Sequence, residues 1–244
     1  MKKLFYIAFA FCLILSGCNN EDSWDCLKSL GDDASEIRYP GNFNQIFLTD
    51  KVDMDYRYSD SCYVEVFFGE NIIHHIQTRV DGNSLFIANT ATCNWVRTLK
   101  KIPLVVVYAP TLAYLENTSS ATITMRDTLV SHDFLYEQRG SNGNAHLLLK
   151  TDSARVYVHT GYTGIYVSGR STYSGLYNAS VGKLDASLLN SDITIVNNSS
   201  LQDLPCVANS YLFGEINLSG NILYSGDPEN IDTSINGSGR VLPH

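Results

Sequence analysis

The sequence predicts an all-β fold, a parallel solenoid with an N-terminal β layer packed on one end, and three observations carry that prediction. Aliphatic residues recur at Leu115, Leu135, Val156, Leu176, Val196, Ile216 and Ile235, at steps of 20, 21, 20, 20, 20 and 19. A solenoid of about 20 residues per coil sets equivalent residues of successive coils above one another, which a globular sheet has no reason to do. A less regular apolar column, Ile123, Leu147, Ile165, Leu184 and Cys206, follows at intervals of 24, 18, 19 and 22. Two columns per coil define an interior. Thirdly, the chain after residue 17 holds no convincing amphipathic helix, and its short β segments are separated by Gly, Ser, Asn and Asp.

Residues 1–17 read as a signal peptide. Lys2 and Lys3 form its positive start, the twelve residues Leu4 to Leu15 its apolar centre, and Leu15-Ser16-Gly17-Cys18 a lipobox. Twelve apolar residues fall short of the roughly 20 that span a bilayer. Cys18 is therefore the expected lipid attachment site, and its acyl chains the expected link to the membrane, each buried methylene adding about 0.8 kcal/mol. Residues 18–41 read as a tether ending at Pro40-Gly41, with Asn19-Asn20-Glu21-Asp22 directly behind the cysteine. Acidic residues there resemble export signals for the outer face of the outer membrane, and serve equally as a solvated spacer.

Residues 42–110 form the N-terminal β segment. Val52, Met54, Tyr56 and Tyr58 share one strand face, as do Val64, Val66 and Phe68. Ile76, Thr78 and Val80 lead through Asp81-Gly82-Asn83 to Leu85 and Ile87, a hairpin pattern. Ile102 to Ala109 suits a strand covered on both faces. Asn71 to His75 is the one place for a helical turn. Residues 111–244 supply the coils, with short segments expected at Arg155 to His159, Gly164 to Val167, Asp192 to Val196 and Glu215 to Leu218, and residues 42–244 form one continuous assembly.

Charge and cysteines narrow the function classes. The chain carries −8, and losing Lys2 and Lys3 with a signal peptide that holds no acid takes it to −10. That balance disfavours nucleic-acid binding. Beyond Cys12 and Cys18, the remaining Cys26, Cys62, Cys93 and Cys206 allow three pairings in an oxidising compartment. They form no C-x-x-C, and the histidines, His74-His75 included, make no ligand pattern with them, so neither a metal nor another cofactor is expected.

The lipobox start, Asp25-Cys26-Leu27-Lys28, Cys93-Asn94-Trp95-Val96-Arg97, Gly220-Asn221-Ile222-Leu223-Tyr224 and Asn236-Gly237-Ser238-Gly239 together resemble the auto-transporter adhesin head GIN-domain family of exported bacterial proteins, over roughly residues 40–240. The resemblance implies a right-handed parallel β-helix and an adhesive role. It departs from the family's glycine-rich corners at Ser119-Ser120-Ala121 and around Ser191-Asp192. It also implies a Cys26–Cys93 disulfide, with a Cys62–Cys206 pair or two free thiols as the competing arrangements.

Two function classes follow. The first is a non-catalytic module that binds a glycan or a surface protein at the outer membrane. Tyr136, Tyr157 and Tyr177 are spaced 21 and 20, each directly after a rung, so if the rungs point in these rings point out as a ligand-stacking column, with Tyr162, Tyr166 and Tyr173 nearby. The second is a polysaccharide-active lyase or hydrolase, which needs a carboxylate pair or an acidic calcium cluster beside a base. Glu137, Asp152, Asp185, Asp192 and Glu215, with Arg139, Lys150, Arg155 and Lys183, are its candidates, and no column is expected to collect acids. Gly-x-Ser-x-Gly and phosphate-loop motifs are absent, so no catalytic residue is assigned. Asn117-Thr118-Ser119 and Asn217-Leu218-Ser219 match the Asn-x-Ser/Thr glycosylation pattern, a weak signal in a bacterial lipoprotein. An envelope scaffold is the third reading.

Overall fold

The computed structural model describes residues 29–91, 101–120, 122–140 and 142–244. Cys18, Cys26 and Cys93, and with them the expected lipid anchor and disulfide, lie outside these residues. Within them the chain is a stack of parallel strands, a β-solenoid of about six turns with about 20 residues per turn.

The regular coils come from the long strands β10 (Leu129–Gln138), β11 (Ala145–Val158), β12 (Gly164–Asn178) and β13 (Lys183–Asn198), each paired in parallel with the next. They run longer than the short segments read from the sequence, because β-compatible residues continue through each shallow bend. Before them stand β8 (Tyr114–Asn117) and β9 (Ile123–Met125). After them β15 (Tyr211–Ile216) and β17 (Asn230–Ile235) extend the same sheet, while β14 (Leu204–Val207), β16 (Ile222–Ser225) and β18 (Val241–Pro243) make a second parallel sheet.

The N-terminal segment joins this stack as well as covering its end. Strands β2 (Gln45–Leu48) and β3 (Asp53–Tyr58) pair in parallel with β8 and β9, and on their other side with β6 (Ser84–Asn89) and β7 (Leu104–Ala109). Antiparallel strands then finish the end: β4 (Tyr63–Gly69) on β7, β1 (Asp33–Arg38) on β4, and β5 (Ile76–Asp81) on β6. The parallel stack therefore ends in antiparallel pairings, with β1 and β5 as the edge strands. The expected hairpin is β5–β6, with Gly82 at φ +61° in its turn, and the expected helical turn is a 3-10 turn at Ile73–His75. Val52, Met54, Tyr56, Val64, Val66 and Phe68 are buried as expected, and Tyr58 is exposed beyond the core edge.

The register corrects the apolar ladder. The inward row is Leu85, Ile46, Leu115, Tyr136, Val156, Leu176, Val196 and Gly214, and its register ends on an exposed Thr233. Leu135 stands one residue out of that row, half-buried on the outer side, and Tyr136 takes its place at 0% exposure. An aliphatic-only ladder cannot register a tyrosine rung. This one buries its ring in the core and donates its hydroxyl to Gln138 Oε1, and burial pushes its pKa well above the usual phenol range. Beyond Val196 a shorter coil brings Gly214 inward, so Ile216 and Ile235 belong to the row at the corner. In the second column Ile123 aligns with Ala145, Ile165 and Leu184, while Leu147 faces Val167 one inward position further on. Each fully buried aliphatic side chain contributes about 1.5–3 kcal/mol.

The corner row holds a feature the apolar columns hide. Leu48, Asn117, Gln138, Val158, Asn178, Asn198, Ile216 and Ile235 are in register, and all four amides are 0% exposed. Buried amides are paired as a rule, and these tie down the turns, with Asn198 Oδ1 the one amide atom of the row left without a partner. Asn178 Oδ1 accepts from Ser180 N at 3.0 Å and Oγ at 2.7 Å, while its Nδ2 donates to Gly182 O at 3.2 Å. Asn117 Oδ1 accepts from Ser119 N at 2.8 Å, and its Nδ2 donates to Gln138 Oε1 at 3.0 Å. Asn117-Thr118-Ser119 is therefore a corner motif, an Asx turn that does without the glycines of related corners. Both Cys62 and Cys206 are free thiols, which excludes their pairing, and burial pushes the Cys206 thiol up to about 12.

Candidate functional site

Alternation along each strand sends every second side chain outward, and on the outer face of the second half-coil one column reads Phe86, Phe47, Glu116, Glu137, Tyr157, Tyr177, Asn197 and Glu215. Tyr157 and Tyr177, expected as stacking residues, are in this column. Tyr136 is not, for the one-residue reason given above. The Tyr157 and Tyr177 rings meet edge-to-face, 6.2 Å apart and at 88°, and His159 joins them with its centroid 5.6 Å from Tyr177. His159 follows Tyr157 by two residues, so strand alternation returns it to the same face, a signal the sequence carried and the tyrosine spacing obscured.

Beside the rings lies a charged network. Glu116 and Glu137 are register partners, so one column does collect acids, contrary to expectation. Tyr114 OH lies 2.7 Å from Glu116 Oε2 and 2.6 Å from Glu137 Oε2. Arg139 Nη2 donates to Glu137 Oε1 at 2.9 Å, and His159 Nε2 lies 3.0 Å from the same oxygen. Burial alone would raise the Glu137 pKa, but the hydrogen bonds from Tyr114, His159 and Arg139 outweigh it and hold the carboxyl below its ordinary value. Burial, and then the hydrogen bonds to Glu137 and Glu116, push the Tyr114 phenol far above its own. The result is an ionised carboxylate held by three donors, fit to orient neighbours and poorly fitted to give up or take a proton.

The other candidate charges are spread out. Asp152 lies beside His132, Arg155 pairs with Asp133 at 2.6 Å, and Lys183 pairs with Asp185 at 2.8 Å. Glu215 Oε2 accepts from Asn197 Nδ2 at 2.7 Å. Among the described residues no group of three or more His, Cys, Asp or Glu is placed to hold a metal ion, and no helix is long and apolar enough to cross a membrane.

On the first half-coil a pocket of 390 Å³ opens on the outer face, between His146 and Tyr166 on one side and Leu148, Ser168 and Leu188 on the other. The sequence placed Tyr166 near the tyrosine column. In the structure it stands on this other half of the coil, its ring stacked on His146 at 5.1 Å.

A family model for the putative auto-transporter adhesin, head GIN domain, matches residues 42–228. The chain belongs to this family. Its fold is similar to that of a putative adhesin from Bacteroides fragilis NCTC 9343, at 18% identity and a TM-score of 0.75, covering 87% of this chain and 97% of the other. It is also similar to a putative lipid binding protein from Parabacteroides distasonis ATCC 8503 (18% identity, TM-score 0.67, 88% and 97% covered) and to a putative adhesin from the same organism (18%, 0.61, 88% and 98%). No curated protein matches the sequence. At such identity these structures share a fold with this chain, and membership of the GIN-domain family agrees with a place at the cell surface or envelope.

Proposed function

We propose that this GIN-domain protein is a non-catalytic, adhesin-like binding module, held at the outer membrane through an acylated Cys18, and that it takes a glycan or a surface protein on the face carrying Tyr157, Tyr177 and His159. The observation that carries this reading is the outward three-ring cluster set beside an ionised Glu137 that is already oriented by Tyr114, Arg139 and His159. Aromatic side chains fixed at low entropic cost beside oriented polar groups are what contact surfaces use to gain affinity.

A second reading, a polysaccharide lyase or hydrolase, draws on the approach of Glu116 and Glu137 through the Tyr114 hydroxyl. It asks Glu137 to act as an acid or a nucleophile while three donors occupy its carboxylate, so the binding reading takes precedence. Incubation of the purified protein with arrays of host and plant glycans and of envelope proteins, scored for retention and for new reducing or unsaturated ends, separates the two. Retention without new ends is expected, and turnover would overturn the proposal. Protease shaving of intact cells tests the location, since full protection would place the protein on the periplasmic side.

A further inference from the structure

The pocket on the first half-coil is a built feature, distinct from the ring cluster. Register between β12 and β13 steps from Tyr166 opposite Asp185 to Ser168 opposite Leu188, so β13 carries one extra residue there. Such a bulge bends the strand and re-aims its side chains. Ser187 pins it, donating from N at 3.0 Å and from Oγ at 2.6 Å to Asp185 Oδ1. On the facing strand Gly169 has φ +112°, and a Cβ there would collide with the Leu149 carbonyl oxygen. Between these distortions lies a pocket whose volume falls at the small end of the range for ligand sites.

Its chemistry is amphipathic. The floor and rim are aliphatic or thioether at Met125, Leu147, Leu148, Val167 and Leu188, of which Leu188 stands 74% exposed, and the one carboxylate in the lining, Asp185, is already paired with Lys183. The next outward position along the strands carries Lys150 and Arg170, register partners on adjacent coils and both exposed. Two residues along a strand is about 7 Å, and adjacent strands lie about 4.8 Å apart, which sets the two cations side by side next to the pocket. Neither pairs with a carboxylate among the described residues, although the chain as a whole carries −8. A sugar ring fits this pocket less well: Tyr166 already stacks on His146 and has Lys183 Nζ 5.6 Å from its centroid.

We propose that this pocket binds a free, single-chain anionic amphiphile, an aliphatic carboxylate whose chain lies against Leu148 and Leu188 and whose head group meets Lys150 and Arg170. The inference stands apart from the proposed adhesin face, which lies on the other half of each coil.

The test is titration calorimetry of the chain from residue 19 onward, which keeps every described residue, with dodecanoate below its micellar concentration. Dodecyltrimethylammonium and glucuronate serve as the tail-only and anion-only comparisons. Saturable one-to-one binding of dodecanoate is expected, weakened at least tenfold by Leu188→Asp and at least tenfold by the double reversal Lys150→Glu/Arg170→Glu. All three positions are exposed, and unchanged circular dichroism and melting confirm folded variants. Tyr157→Ala/Tyr177→Ala is expected to leave dodecanoate binding intact, so failure of the adhesin reading and failure of this one are separable. Equal binding of the cationic amphiphile, tighter binding of glucuronate, absence of saturable dodecanoate binding, or indifference to either charge reversal or Leu188→Asp would each overturn the proposal. Sedimentation with anionic phospholipid vesicles in the absence of dodecanoate binding would overturn it in favour of a membrane surface.

Discussion

Truncating Leu176 and Leu135 separately to alanine distinguishes the structural register from the plain aliphatic ladder. Leu176 is 2% exposed and sits in the inward row between Val156 and Val196. Its truncation loses the transfer free energy of the removed carbons and leaves a cavity that the coils above and below cannot close, so the expected cost is about 2–5 kcal/mol. Leu135 is half-buried on the outer side, next to Arg155 and Tyr114 in register. Water fills the space it vacates, and its truncation is expected to cost no more than about 1 kcal/mol. Thermal melts followed by far-ultraviolet circular dichroism read the difference, because for a chain of this size 1 kcal/mol moves the midpoint by about 2–4 °C. A Leu176→Ala midpoint lower by about 4–20 °C beside a Leu135→Ala shift of no more than about 4 °C is expected. A larger loss at Leu135 than at Leu176 would refute the register.

Further outcomes follow from the same geometry. Asn178→Ala strips a corner of bonds to Ser180 and Gly182 and leaves their backbone groups buried and unpaired, so urea denaturation should show a loss of about 2–4 kcal/mol; a loss below half of one would show the amide row to be dispensable. Gly169→Ala meets both a left-handed backbone and the Leu149 carbonyl, and should lower the yield of folded protein or the melting midpoint far more than Gly82→Ala, whose surroundings are open. Because the folded Glu137 pKa lies below its unfolded value, its stabilisation is present above the unfolded carboxylate pKa and is lost as pH falls through the folded one. Glu137→Gln should therefore flatten the acid limb of the stability profile, and an unchanged limb would remove Glu137 as its source. Cys206, with its thiol pushed up to about 12, should resist alkylation in the folded protein while the half-buried Cys62 reacts first, as mass mapping after timed iodoacetamide exposure would report.

Period, fold class and hairpin were legible because burial imposes spacing. Val52, Met54 and Tyr56, the β5–β6 turn at Gly82, and the 20-residue repeat of Val156, Leu176 and Val196 all state it directly. What misled was chemistry that burial tolerates. Tyr136 is an interior rung because its hydroxyl finds Gln138, and Asn117, Gln138, Asn178 and Asn198 are interior because their amides bond to the backbone of the corners, at Ser119, Gly143, Gly182 and Gln202. A pattern that admits only aliphatic residues skips them and slips by one, and that slip turned Tyr136 outward and hid the Glu116–Glu137 pairing. The stacking order at the N-terminal end was beyond reach for another reason: β2 and β3 lie between β8–β9 and β6–β7, an exchange of position that leaves no mark on spacing. Nor does a β-bulge announce itself, so the pocket beneath Leu188 had no sequence signal beyond an unremarkable Ser187.

On the proposed function, binding resides in the outward rings and needs no chemistry. The most direct test is retention on the glycan and protein arrays measured side by side for the wild-type protein, Tyr157→Ala/Tyr177→Ala and Tyr114→Phe. Tyr114→Phe removes only the hydroxyl that joins Glu116 to Glu137. Retention that disappears with the two outward tyrosines, survives Tyr114→Phe and yields no new reducing or unsaturated ends is the result the account requires. Product formation that Tyr114→Phe abolishes, or retention indifferent to the loss of both outward rings, would contradict it.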